Sequence, residues 1–155
     1  MKRNLCIYFA ALTAFCTIIS LSCKKNHDKS RSELLVGSWT ITSDVFNPAY
    51  DFNGNGTPVT DAYSTYQACS KDNFTTFNAN NTGAFDEGAT KCNPGDQQGY
   101  SFSWQLSDND SKIIMDEYAD DAATILQLDN STLKVSTTFE ESGTTYTDTQ
   151  TFKRK

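Results

Sequence analysis

The 155-residue chain holds one histidine, His27, in a polar stretch near the N-terminus. That placement removes Ser-His-Asp and Cys-His nucleophile activation, and any His-based zinc site, from the rest of the chain. Carboxylates are the remaining acid–base groups. Asp116, Glu117, Asp120 and Asp121 cluster in one run, and Glu140 and Glu141 precede a turn. Paired carboxylates hydrolyse glycosidic bonds only when held a fixed distance apart across a cleft. A cluster at the end of a strand reads first as a solvated loop. The expectation is a protein that is not an enzyme, with no catalytic residue.

A second constellation is DFNGNG at 51–56. Asp51, Asn53 and Asn55 place oxygens at alternate positions before a Gly, which resembles the opening of a calcium loop. The twelfth position should carry a bidentate Glu but is Ala62, with Asp61 beside it. An Asn-Gly-Asn-Gly run is equally a good turn. Structural calcium on Asp51, Asn53, Asn55 and Asp61 is therefore the one cofactor the sequence suggests.

The third reactive group is a thiol. Lys2 and Arg3 precede an uncharged, mostly apolar run over 5–19, then Ser20, Leu21, Ser22 and Cys23, with Lys24 and Lys25 following. This order is that of a secretory signal, and the run is too short for the roughly 20 residues that span a bilayer. A Cys after small residues resembles a lipobox, although Leu stands at 21 rather than three residues before the Cys. The resemblance implies cleavage after residue 22 and lipid on Cys23; the alternative is plain secretion. The expected anatomy is a lipoprotein signal over 1–22, a lipidated Cys with a flexible polar tether over 23–33, and one domain over 34–155. The expected location is the envelope of a Gram-negative bacterium, on its outer membrane, facing periplasm or exterior.

Two cysteines then remain, Cys69 and Cys92. An oxidising compartment favours a bridge over two buried thiols, and closing that loop contributes roughly 3 kcal/mol. Losing Lys2 and Arg3 takes the formal charge from −6 to −8. Such a surface argues against nucleic acid, which needs clustered Lys and Arg.

The elements that carry these groups are mostly strands. Leu35, Gly37, Trp39 and Ile41 alternate with polar or smaller residues, as do Tyr100, Phe102, Trp104 and Leu106. Further strands are expected around Phe74 and Phe77, and over 83–88, 112–118, 124–128, 132–139 and up to 152, joined by Asn-, Asp- and Gly-rich turns. Turns this tight connect antiparallel neighbours. One short helix is expected over 60–70, with Thr60 as N-cap. About eight strands suggest an all-β, up-and-down antiparallel barrel; a two-sheet sandwich is the rival.

Four segments together resemble the lipocalin-like domains of small bacterial lipoproteins: LLVGSWTITS, CSKDNFTTFNANNTG, GATKCNPG and YSFSWQL. The resemblance covers nearly all of 34–155 and implies a calycin-type barrel able to hold a small hydrophobic ligand. In such a barrel Gly37 and Trp39 fit the closed end, the indole plugging the base and its N–H meeting a carbonyl; the alternative is an ordinary core Trp beside a strand Gly. Phe74, Phe77, Tyr100, Phe102, Trp104 and Ile113 are candidates for the ligand wall, or for a filled core. The function expected is membrane-tethered, non-enzymatic binding or carriage of such a ligand. The alternative is a structural or protein-interaction module of the envelope, working through loops 51–61 and 91–98.

Overall fold

The computed structural model describes residues 28–116 and 122–155. Cys23, His27, Glu117, Asp120 and Asp121 lie outside the described residues. Nine strands follow one short helix: α1 (Arg31–Leu35), β1 (Gly37–Tyr50), β2 (Val59–Asp61), β3 (Phe74–Phe77), β4 (Thr82–Asp86), β5 (Gly99–Ser107), β6 (Lys112–Met115), β7 (Ala123–Leu128), β8 (Thr132–Glu141) and β9 (Thr144–Arg154). Every pairing is antiparallel. From β3 to β9 each strand pairs with the next, and β1 pairs with both β3 and β9. Eight strands thus close into a barrel, as alternation and tight turns imply. The short β2 pairs with the far half of β1, beyond the stretch that β3 occupies.

The turns obey their sequence chemistry. Asp108, Asn109 and Asp110 all take positive φ, and Ser142 and Gly143 do so at the β8–β9 hairpin. Residues 31–33, expected within the tether over 23–33, are helical, because α1 begins at Arg31. Ser30 Oγ accepts from Glu33 N at 3.2 Å, and Ser30 N donates to the Glu33 carboxylate at 2.7 Å. This capping box satisfies two helix-end amides at once. Leu35, expected in the first strand, ends that helix instead.

The helix expected over 60–70 is absent. Val59–Asp61 extends the sheet, and two single 3₁₀ turns follow, Tyr63–Thr65 and Ala68–Ser70. Asp61, rather than Thr60, accepts the Ser64 amide at 3.0 Å. Local side-chain bonds of this kind compete with helix continuation. The second turn is tied by the Cys69–Cys92 disulfide, whose Cα atoms lie 5.2 Å apart.

One end of the barrel is sealed. Leu35 and Trp39 are fully buried, and the Trp39 indole donates to Leu35 O at 2.8 Å. The Arg154 guanidinium lies 4.2 Å over that indole and donates to Val36 O at 2.8 Å, to Asn130 O at 2.7 Å and to Leu34 O. Gly37 makes room: its φ is +138°, and a Cβ there would stand 2.1 Å from Arg154 Nη1. Lys29 and Arg31 bond to Asn130 and Asp110 in the turns around this base. Truncating a buried Trp of this kind costs about 3–5 kcal/mol.

Candidate functional site

Trp39 and Ile41 face the barrel interior, and strict alternation would next send Ser43 and Val45 inward. A bulge in the β1–β9 ladder between Ile41 and Ser43 shifts the phase. Asp44 and Phe46 are buried instead, Asp44 only 2% exposed. Bulges commonly re-aim a side chain in this way. On β9, Asp44 pairs with Gln150 and Phe46 with Asp148. On β8, Leu133, Val135 and Thr137 pair with Phe152, Gln150 and Asp148.

These strands enclose a cavity in two lobes that share Trp39, Thr75, Met115, Gln150 and Phe152. The larger has a volume of about 410 Å³ and the smaller about 280 Å³. That lies within the range of about 300–1,000 Å³ typical of small-molecule sites. Phe77, Ile113, Leu133 and Val135 supply apolar wall, while Thr137, Asp148, Gln150 and Asp116 supply polar atoms. Trp39 forms the floor. Met115, which borders both lobes, is 47% exposed.

The candidate wall residues divide. Phe77 and Ile113 line the larger lobe, and Phe74 borders the smaller, with the Lys155 ammonium 3.4 Å from its ring centroid. Phe102 and Trp104 are buried in the core, edge-on to Phe77 at 5.7 and 5.6 Å, and line neither lobe. Trp104 donates to Asn78 O and Thr82 O at 3.1 and 3.0 Å. Tyr100 is 60% exposed and stacks on Phe85 at 5.2 Å.

Asp148 lines the larger lobe and stands beside the buried Asp44, a carboxyl pair that alternation alone does not reveal. Tyr66 Oη donates to Asp44 Oδ2, and Gln150 Nε2 donates to Asp148 Oδ2 at 3.0 Å. The other oxygens, Asp44 Oδ1 and Asp148 Oδ1, are buried and receive no N–H or hydroxyl among the described residues. Burial, reinforced by the neighbouring Asp44, pushes the Asp148 carboxyl up to about 8 against the Gln150 bond. Below about pH 8 Asp148 therefore keeps its proton, favoured by the neighbouring Asp44 carboxyl. Burial also raises the Tyr66 phenol, as does its bond to Asp44. A carboxyl raised by burial and by a second carboxyl beside it is the kind of perturbed group that clusters at functional sites. A signal for half of it exists in the sequence: Tyr146, Asp148, Gln150 and Phe152 fall on one face, between outward threonines.

The Asp51 loop satisfies itself. Asp51 accepts the Asn55 and Gly56 amides at 3.0 and 2.7 Å, Asn53 accepts Asn55 N, and Asn55 accepts Thr57 N. Asp61 is engaged by Ser64. Asp116 takes positive φ and accepts Ser103 N at 2.9 Å, while lining the larger lobe. Among the described residues no group of three or more His, Cys, Asp or Glu side chains converges as for a metal.

No curated protein matches the chain. The model of the lipocalin-like domain family matches residues 35–135, which run from the end of α1 through the sealed base into β8. With the eight-stranded closure and the cavity above Trp39, that match settles the assignment: the chain belongs to the lipocalin-like domain family.

Proposed function

We propose that the protein binds and carries a small hydrophobic molecule in its barrel, without catalysis, as a lipoprotein anchored to the cell envelope through Cys23. The observation that carries this reading is the cavity of about 410 Å³ with apolar walls over a plugged floor. A lipocalin-like barrel suits carriage, because its rigid strands leave the interior open without straining the backbone. The lipobox-like Ser-Leu-Ser-Cys at 20–23 supports the anchor, and the outer membrane is the surface proposed for it. Several acyl chains on one residue hold far more firmly than one, each buried methylene adding about 0.8 kcal/mol.

The test uses N-phenyl-1-naphthylamine, an uncharged apolar fluorophore. Saturable one-to-one binding is expected, and Val135→Trp, which fills the larger lobe, should abolish it while near-ultraviolet dichroism stays native. Absence of saturable binding, or binding indifferent to Val135→Trp, overturns the proposal.

A further inference from the structure

Asp116 and Asp148 are the ionisable side chains on the wall of the larger lobe, and neither lobe is lined by Lys, Arg or His among the described residues. The site is also rich in acceptors and short of donors. Tyr66 and Gln150 each satisfy one carboxyl oxygen, and apart from the proton that Asp148 itself holds, no donor among the described residues reaches Asp44 Oδ1 or Asp148 Oδ1. A ligand head that enters here must bring donors. An ammonium carries three donors, no acceptor and the opposite charge. A carboxylate or phosphate head would place like charges together in a low-dielectric cleft, and an alcohol brings a single neutral donor.

We propose that the cavity selects cationic amphiphiles, seating a protonated amine on Asp148 beside Gln150 and Thr137 with its hydrocarbon along Trp39, Phe77 and Leu133. This rests on the carrier reading above and adds the class of ligand. The protein's formal charge of −6 favours the encounter by raising the local concentration of cations. The titratable groups facing Asp148 are Asp44 on β1 and Tyr66 after the first 3₁₀ turn; Asp116 lines the same lobe, and the adjoining face of β8 offers Thr137 and Val135. Binding the ammonium expels the proton that Asp148 otherwise holds, so one proton leaves as one ligand enters. Affinity for an amine should therefore rise as pH climbs toward about 8.

Dodecylamine, dodecanol and dodecanoate are competed against N-phenyl-1-naphthylamine, below their micellar concentrations. Dodecylamine should displace the probe at about tenfold lower concentration than dodecanol at pH 8, with dodecanoate weakest. Asp148→Asn should erase that preference, and Asp148→Glu should keep it. Calorimetry of dodecylamine in buffers of differing ionisation enthalpy should report proton release. Dodecanol or dodecanoate binding as tightly as dodecylamine, or a preference that survives Asp148→Asn, overturns the head-group proposal and leaves the carrier reading intact. Failure of the probe itself to bind overturns the carrier reading, and this proposal with it.

Discussion

Replacing Asp148 with Asn should change how stability depends on pH. The ordinary aspartate value is 3.8, and in the folded barrel it is raised to about 8. Between those values the native state holds a proton that the unfolded chain releases, so stability falls as pH rises through the window. The contribution is fully present below about 4 and gone above about 8. A tenfold difference in proton affinity between the two states corresponds to about 1.4 kcal/mol. Asp148 is only half-buried and lines the cavity, so screening reduces the full difference to roughly 2–3 kcal/mol. Urea unfolding followed by Trp fluorescence should show the wild type losing that amount between pH 5 and 8.5. The Asn variant, which has no charge to bury, should be flat across the window and more stable than wild type at pH 8.5. Asp129 does not blur the result. Bonds from Gln127 and Ser131 lower its carboxyl, so its contribution is present above 3.8 and lost only in stronger acid. A wild-type profile that is level or rising from pH 5 to 8.5, or an unchanged slope in the variant, would refute the raised Asp148 carboxyl.

Gly37→Ala should cost about 2–4 kcal/mol in the same assay, since its Cβ displaces Arg154 from Trp39 at a backbone angle that only Gly adopts comfortably; a loss below about 0.5 kcal/mol would show that the base repacks freely. Cys69→Ser with Cys92→Ser should lower stability by about 3 kcal/mol, and thiol titration of the unfolded, unreduced wild type should find neither residue free. Calcium at millimolar concentration should leave Tm unchanged, because the Asp51 oxygens already accept their own loop's amides; a rise of several degrees would assign a cation there. Palmitate labelling should disappear in Cys23→Ala, and its persistence would remove the anchor.

What could be read in advance follows from which forces are local. Tyr100, Phe102, Trp104 and Leu106 announce β5 because period two survives along the whole strand, and the turn at 108–111 is set by residues that tolerate positive φ. The plugged base was legible from Gly37 and Trp39, since few sequences other than a glycine beside an indole allow so close a crossing. The S-x-x-E capping signature at 30–33 was present but hidden, as five helical residues show no periodicity. Residues 60–70 carried helical spacing that long-range ties overrode: β2 pairing, the disulfide, and the Tyr66 bond to Asp44. The carboxyl pair was half concealed. Asp148 sits in phase with Tyr146 and Phe152, whereas Asp44 faces inward only because a bulge, set by pairing with β9, reverses the count.

The approach of the N-terminal segment has a geometric outcome. Residues 28–31 run alongside the blind end of the barrel, fastened by Lys29 and Arg31 to the loops that ring it. The attachment proposed at Cys23 would therefore join the described domain from the side of its sealed base.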